Sequence, residues 1–171
     1  MFRIAIIGPE SSGKSTLAKF IEKEFDGYLV DEYAREYLLN IDNPSKHLIE
    51  DLIEIAKVQF DKSIDIESKK KICICDTEML TMKIWAEDKF KYCPMEIETL
   101  FQNQKFDLYL LCKPDIKWEY DILREDEDRR DYIFEVYKKY CNVFNFNYIE
   151  IEGDSKSRFK IIDKVFRQLN Y

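Results

Sequence analysis

The sequence predicts a three-layer α/β fold, in which helices cover both faces of a five-stranded parallel sheet. Five short apolar runs alternate with longer segments whose apolar residues recur at helical spacing. The strands expected from these runs span residues 3–7, 28–30, 72–76, 107–112 and 148–152. Strands that alternate with helices are joined by right-handed crossovers, which produce a parallel sheet.

The composition is that of a single globular domain, which we expect to span residues 1–171. The chain has 171 residues, of which 46% are hydrophobic and 36% are charged. Met1 leads directly into the first strand, and no apolar run approaches the length of a membrane span. We therefore expect a cytoplasmic protein with no signal peptide and no membrane partner.

The charge and the histidine content exclude several classes of function. A net charge of −7 argues against a nucleic-acid partner, because such binding draws its affinity from a basic surface. It favours a small anionic ligand that is held locally. His47 is the single histidine of the sequence, so a Ser-His-Asp triad and a histidine-rich metal site are both excluded. We expect His47 on a loop or a helix face.

The loop after the first strand carries the most specific motif of the chain. Its sequence is Gly8-Pro9-Glu10-Ser11-Ser12-Gly13-Lys14-Ser15-Thr16. This fills every fixed position of G-x-x-x-x-G-K-[ST], and it lies between a strand and a helix as that motif requires. Such a loop surrounds a polyphosphate with backbone N–H groups, while Lys14 supplies a cation and Ser15 a hydroxyl ligand for Mg²⁺. An ordinary turn before a helix is the alternative, and the combined motif disfavours it.

Acidic residues stand at the carboxyl ends of two further expected strands, where ligands of open α/β sheets bind. Asp76 is a candidate ligand for Mg²⁺, or alternatively a cap of the helix that follows, which Thr77 could also cap. Glu32 or Asp31 could accept the proton of an acceptor hydroxyl or bind the acceptor's other hydroxyls. The alternative for these two is a surface carboxylate paired with Arg35.

Residues 113–131 have no clear period and are densely charged, so we interpret them as a lid over the site. Three of the seven arginines of the chain, Arg124, Arg129 and Arg130, lie in this segment. Guanidinium groups on a lid can clamp phosphate oxygens, although ion pairs on a solvated helix are the alternative. Trp118 in the lid could stack on a base or on a pyridinium ring. Trp85 fits a core helix face as well as a site.

Beyond the phosphate-binding loop, several segments resemble the ribosylnicotinamide kinase domain of NadR-type NAD-biosynthesis proteins. They are Glu32-Tyr33-Ala34-Arg35-Glu36, Gln59, Asp76-Thr77-Glu78, the Trp118-x-x-Asp121-x-Leu123-Arg124 segment, and Tyr148-Ile149-Glu150-Ile151-Glu152. The resemblance runs from about residue 3 to residue 153. It implies the kinase domain alone, without the adenylyltransferase and DNA-binding domains often fused to it. The family usually has Asp-Gly-Leu-Arg in the lid, whereas Ile122 replaces the glycine here.

The resemblance implies ATP-dependent phosphorylation of the 5′-hydroxyl of nicotinamide riboside on a nucleoside kinase fold. We expect the five strands of the sheet in the order 2-3-1-4-5. ATP and Mg²⁺ are the expected cofactors, with Lys14, Glu32, Asp76 and Arg124 as catalytic residues. ATP is expected on residues 8–16 with Arg129 and Arg130, and the metal on Ser15 and Asp76. The expected nucleoside-binding residues are Asp31, Glu32, Tyr33, Arg35, Thr77, Trp85, Trp118 and Asp121. The alternatives are a kinase for another nucleoside, nucleotide or small metabolite, and a nucleotide-binding ATPase or switch module. The oligomeric state stays open.

Overall fold

A computed structural model describes residues 1–64, 66 and 69–169 of the chain. Within these ranges the sheet has five strands: β1 (Phe2–Ile7), β2 (Tyr28–Val30), β3 (Ile72–Asp76), β4 (Leu108–Cys112) and β5 (Tyr148–Ile151). They lie in the order β2-β3-β1-β4-β5, and every neighbouring pair is parallel. The expected fold class and strand order are therefore confirmed.

Seven α-helices connect and cover the strands in the described ranges. They are α1 (Lys14–Glu24), α2 (Tyr33–Leu39), α3 (Ile49–Ile64), α4 (Met79–Phe90), α5 (Met95–Asn103), α6 (Arg130–Val143) and α7 (Ser155–Gln168). Short 3₁₀ helices lie at Pro44–Lys46 and Glu127–Arg129.

The central strand β1 shows how both faces of the sheet are covered. Successive side chains of a strand point to opposite faces. Ile4 and Ile6 pack with apolar side chains of α1 and α7, whereas Ala5 and Ile7 pack with those of α2 to α6. All four are fully buried. A continuous apolar run is typical of a parallel strand buried on both faces, and its carboxyl end opens directly into the phosphate-binding loop.

Helix α2 is the element that the sequence analysis did not predict. It has seven residues, of which only Ala34 and Leu38 are buried, so its apolar pattern is too short to be recognised. Glu32 is its N-cap residue and makes no hydrogen bond with its side chain to the helix backbone. The acids at the end of β2 therefore lie at the start of a helix.

Apolar residues recur at helical spacing between residues 48 and 66, and this stripe predicts a helix. The structure has α3 there, which begins at Ile49 and ends at Ile64. Residue 65 of that stripe lies outside the described residues, as do residues 170 and 171 of the expected domain. In the described part of the chain, no helix combines the length and apolar content that a membrane crossing requires.

Candidate active site

The phosphate-binding loop has the backbone that its two glycines allow. Gly8 has a φ of 135° and Gly13 a φ of 81°, both in a region that side chains disfavour. A Cβ at position 8 would lie 2.5 Å from the backbone oxygen of Cys112 on β4. Glycine is therefore required at position 8 for steric as well as conformational reasons. Gly13 is the N-cap of α1, whose first N–H groups face the loop.

Lys14 folds back over the loop. Its Nζ donates to the backbone oxygens of Gly8 and Pro9, each at 2.8 Å. The Ser12 Oγ also donates to the Pro9 oxygen, at 2.7 Å. The loop is thus held in its curved form by its own side chains, with the cationic group of Lys14 next to the backbone that would surround a phosphate.

One cavity of about 1140 Å³ joins the phosphate-binding loop to the acids at the ends of β2 and β3. The expected site residues that line it are the loop residues 8–16, Asp31, Glu32, Arg35, Asp76, Thr77, Trp85 and Arg124. Five other expected site residues lie outside this lining: Tyr33, Trp118, Asp121, Arg129 and Arg130. The structure therefore brings most of the expected site together around a single space.

Asp76 and Glu32 both have pKa values above the ordinary range, so the site favours their neutral forms. Burial raises the pKa of Asp76, and the hydroxyl of Ser15 and the charge of Lys14 oppose that rise. Burial likewise raises the pKa of Glu32, and the charge of Asp76 raises it further. A cation near these two carboxylates would lower both pKa values again, because it favours the ionised forms.

The residues at the end of β3 fit a magnesium ion that is held mainly by a bound nucleotide. The Asp76 Oδ1 is buried and has no hydrogen-bond partner, and the Ser15 side chain interacts with the same carboxylate. Among the described residues, no group of three or more acids, cysteines or histidines could form a protein-only metal site. Mg²⁺ typically takes one or two protein oxygens and completes its shell with phosphates and water.

The turn after Asp76 corrects the expected helix cap. Thr77 does not cap α4, because its backbone has a positive φ of 85° and its Oγ1 is buried without a partner. The N-cap is Glu78, whose carboxylate accepts from the backbone N–H groups of Leu80 and Thr81 at 2.6 and 3.0 Å. Asp76 is therefore free of a capping role. Burial raises the pKa of Glu78 to about 7.

Gln59 of α3 connects the two acidic strand ends, a role that the sequence analysis did not assign. It is fully buried. Its Oε1 accepts from the backbone N–H of Tyr33 at 2.8 Å, and its Nε2 donates to the Thr77 oxygen at 3.2 Å. In the sequence its only signal is a polar residue beside an apolar stripe, and its partners are distant in the chain.

Arg158 of α7 is a second important residue that sequence reasoning missed. It is 3% exposed, and its guanidinium donates to the oxygens of Ser12, Lys113 and Gly153 and to the Asp115 carboxylate. It thereby joins the phosphate-binding loop to the segment that follows β4. These partners lie 5 to 146 residues away, so no local pattern indicates the contact.

The expected lid lies directly on the phosphate-binding loop. The Glu10 carboxylate accepts from the backbone N–H groups of Glu125 and Asp126 at 2.9 and 3.2 Å. The Ser11 Oγ accepts from the backbone N–H of Glu119 at 2.9 Å. Two side chains from variable positions of the motif therefore hold the lid. Burial raises the pKa of Glu10, and the two N–H donors oppose that rise.

The three lid arginines have different surroundings. Arg124 lines the cavity and donates to the Glu119 oxygen at 2.5 Å. Arg129 is exposed and pairs with Asp88 and Asp126, as the ion-pair alternative expects. Arg130 is the first residue of α6 and donates to the oxygens of Ser11 and Ile116. Only Arg124 of the three is thus positioned toward the cavity.

Trp118 and Asp121 of the expected lid do not line the cavity, but each contacts an arginine that does. The guanidinium groups of Arg124 and Arg130 lie over the ring of Trp118, with their centres 6.0 and 5.5 Å from the ring centroid. Asp121 forms an ion pair with Arg35, which connects the lid to α2. Ile122 does not adopt a positive φ, so the lid turn forms without the glycine usual in the resembling family.

Trp85 and His47 form one wall of the cavity. Their rings meet edge to face with centroids 4.9 Å apart. His47 follows the 3₁₀ helix Pro44–Lys46, as expected of a loop position, but it is 5% exposed. Burial lowers the pKa of its imidazole.

Comparison with known proteins agrees with this geometry. The AAA domain family profile matches residues 3–158. A curated relative, the trifunctional NAD biosynthesis/regulator protein NadR of Escherichia coli (strain K12), is 29% identical over 184 residues. The alignment covers 97% of this chain and 42% of the relative, so the chain spans less than half of the relative's length.

Solved structures show the same fold. A crystal structure of NadR protein in complex with NAD and AMP-PNP matches with a TM-score of 0.77 at 19% identity, over 97% of this chain and 49% of that chain. Another crystal structure of NadR protein, in complex with NR, matches with a TM-score of 0.75 at 20% identity, over 97% of this chain and 50% of that chain. A deoxyadenosine kinase from M. mycoides with bound dCTP matches with a TM-score of 0.70 at 17% identity, over 98% of this chain and 100% of that chain.

The matched family covers most of the chain, and the resemblance to NadR-type proteins is confirmed by these relatives. The chain therefore belongs to the AAA domain family and has the fold of the P-loop nucleoside kinases.

Proposed function

We propose that this chain is an ATP-dependent kinase that phosphorylates the 5′-hydroxyl of nicotinamide riboside to give nicotinamide mononucleotide. The NadR relative and the nucleoside kinase folds support a nucleoside kinase. The observation that carries the proposal is the cavity itself, because it contains both a phosphate-binding loop and separate acids at the ends of β2 and β3. A donor and an acceptor can thus occupy one space.

The donor side uses the loop and the metal ligands. In the proposal, the backbone N–H groups of residues 8–16 bind the polyphosphate of ATP, and Lys14 leaves its two loop oxygens to contact the β- and γ-phosphates. Ser15 and Asp76 would hold Mg²⁺, which neutralises charge on the phosphates when it is bound. The N-terminus of α1 contributes its dipole to the same anion.

The acceptor side uses Glu32 and Asp31. Burial and the neighbouring Asp76 raise the pKa of Glu32, which brings its proton affinity closer to that of a base working near neutral pH. Glu32 would accept the proton of the 5′-hydroxyl or anchor the acceptor. Arg35, Thr77 and Trp85 line the same cavity and would contact the nucleoside. Tyr33, Trp118 and Asp121 would support these residues from outside the lining.

Arg124 would stabilise charge on the transferring phosphoryl group, since it is the lid arginine that lines the cavity. Arg130 would support the loop through Ser11, and Arg129 would act through its ion pairs rather than on ATP. Most of the rate acceleration would then come from positioning and from charge stabilisation.

The test is ATP consumption with magnesium and a panel of acceptors: nicotinamide riboside, nicotinamide mononucleotide, deoxyadenosine, cytidine and uridine. We expect nicotinamide riboside to accelerate consumption well above the rate without acceptor. Acceleration by a different nucleoside alone would make the acceptor assignment wrong. Consumption that no acceptor changes would favour an ATPase or a nucleotide switch, and Lys14→Ala protein supplies the background rate.

A further inference from the structure

In the described part of the chain, Gln59 is the single residue whose side chain hydrogen-bonds to the backbone next to both acidic strand ends. It lies on α3, is fully buried, and is not part of the cavity lining. Its Oε1 accepts from Tyr33, one residue after Glu32. Its Nε2 donates to Thr77, one residue after Asp76, and to the Asp31 oxygen at 3.4 Å. One side chain therefore links β2 to β3 at the site.

One of these hydrogen bonds satisfies a backbone N–H that has no partner within its own helix. The N–H of Tyr33 is the first of α2 and cannot bond within its own helix, and the Glu32 side chain does not cap it. An amide side chain offers one acceptor oxygen and one two-proton donor, and Gln59 uses both. The start of α2 is thus fixed by a residue of α3 rather than by its own cap.

The contact with Thr77 stabilises an uncommon backbone conformation. Thr77 is β-branched and has a φ of 85°, which such residues rarely adopt. Conformations of this kind persist where surrounding contacts enforce them, and they concentrate at functional sites. The turn directs the carboxylate of Asp76 to the cavity while Glu78 caps α4. The Gln59 amide is the donor that holds the carbonyl of this turn.

We propose that Gln59 is a positioning residue that fixes the relative placement of the Glu32 and Asp76 carboxylates. It does not line the cavity, and it acts through the backbone of Tyr33 and Thr77. The proposal rests on the proposed function, because the placement matters only if these acids serve phosphoryl transfer. Some residues orient a metal-binding or catalytic group without contacting the metal or the substrate. Their replacement commonly lowers metal affinity or activity by about 10- to 100-fold.

The test compares Gln59→Met with Gln104→Met. Gln104 is a matched control, since its buried amide accepts from the N–H of Met79 at 3.0 Å and donates to the Ser63 Oγ at 2.7 Å. It lies outside the cavity lining. Both replacements remove a buried amide of similar hydrogen bonding, so both should lower the thermal midpoint. Only Gln59→Met should lower kcat, by about tenfold or more.

A binding measurement makes the result independent of the acceptor. The affinity for ATP is measured by calorimetry with and without Mg²⁺, and Asp76→Asn sets the loss expected when the carboxylate itself is removed. Gln59→Met should lose much of the Mg²⁺-dependent gain in affinity while metal-free binding stays close to wild type. If wild type transfers no phosphate to nicotinamide riboside, the proposed function fails, and this binding measurement still decides the role of Gln59.

Gln59→Asn covers the case in which Gln59→Met does not fold. It keeps a buried amide that is one carbon shorter, so it should fold and show a smaller loss of both kcat and the Mg²⁺-dependent gain. The proposal is overturned if the Gln59 variants lose stability as Gln104→Met does but keep wild-type kcat and the wild-type effect of Mg²⁺. Gln59 would then be a structural residue only.

Discussion

Lys14 has two possible sets of partners, and its proposed role depends on the exchange between them. Its Nζ donates to two loop oxygens in this structure, and a bound polyphosphate would offer charged oxygens in the same place. Hydrogen bonds to charged acceptors are stronger than those to neutral carbonyls. Without a nucleotide, the ammonium group of Lys14 therefore already lies next to the place where the phosphates would bind.

Lys14→Ala should abolish phosphoryl transfer without unfolding the protein, because the residue contributes charge to the site and little packing. Turnover and the thermal midpoint are the measurements. Lys23→Ala, an exposed replacement in the last turn of the same helix, is the control and should keep wild-type turnover. A Lys14→Ala protein with near-native turnover would contradict the assignment of the site.

Single residues differ in how much of their role the sequence reveals. Gly8, Gly13, Lys14 and Ser15 were predictable because their function depends on a fixed local spacing. Arg158 was not, since its hydrogen-bond partners come from three separate segments of the chain. Gln59 was recognised as a polar residue beside an apolar stripe, but its partners are 18 to 28 residues away. Local patterns do not contain such contacts.

At the scale of elements, the strands and the longer helices were predictable and the turns between them were not. Strands of four to six residues and helices with a full apolar face carry a recognisable apolar pattern. Helix α2 lacks both a long stripe and a capping side chain. The positive φ of Thr77 also has no signal in the sequence, because a β-branched residue argues against it. The cap of α4 was consequently assigned one residue too early.

The cap of α4 should make stability depend on pH. The pKa of Glu78 is about 7 in the fold against an ordinary value of 4.5, so the folded state binds the proton more tightly. Its stabilising contribution is present below about pH 4.5 and is lost as the pH rises toward 7. The difference corresponds to about 3 kcal/mol at most. The pH dependence of stability should be measured on metal-free protein.

Glu78→Ser provides the comparison, since serine is a neutral N-cap residue. Denaturant unfolding at pH 5, 6, 7 and 8 should show a steeper loss of stability in wild type than in Glu78→Ser. Parallel pH profiles for the two proteins would mean that burial does not raise the pKa of this carboxyl.

The positions of Arg124 and Arg129 relative to the cavity predict different roles for these two lid arginines. Arg124 lines it, whereas Arg129 is exposed and paired with Asp88 and Asp126. Arg124→Lys keeps the charge but loses the planar guanidinium, so kcat should fall at least about tenfold while the Kd for ATP changes little. Arg129→Lys is the control and should behave like wild type. The arginine assignment is wrong if Arg124→Lys is silent and Arg129→Lys fails.

At the scale of the whole molecule, the lid and the phosphate-binding loop form one connected unit. Glu10 and Ser11 accept lid N–H groups, Arg130 donates back to Ser11, and Arg158 joins Ser12 to the start of the lid. Loop residues between the fixed positions of the motif thus determine where the lid rests. A nucleotide that reshapes the loop would move the lid with it.

Glu10→Ala should loosen this connection. The amides of Glu125 and Asp126 lose their shared acceptor, so their hydrogen exchange in nucleotide-free protein should become faster by about tenfold. Amides of β1 should keep wild-type protection and serve as the internal reference. Unchanged exchange at positions 125 and 126 would show that Glu10 does not hold the lid.

The central claim is that the γ-phosphoryl group of ATP is transferred to a nucleoside in the cavity that joins the phosphate-binding loop to the strand-end acids. Identification of the product tests it most directly. Protein, ATP, Mg²⁺ and nicotinamide riboside are incubated together, and ADP and nicotinamide mononucleotide are quantified by chromatography and mass spectrometry. The account predicts that both products appear in equal amounts, and only with the acceptor present. Release of ADP with inorganic phosphate and no mononucleotide would contradict it.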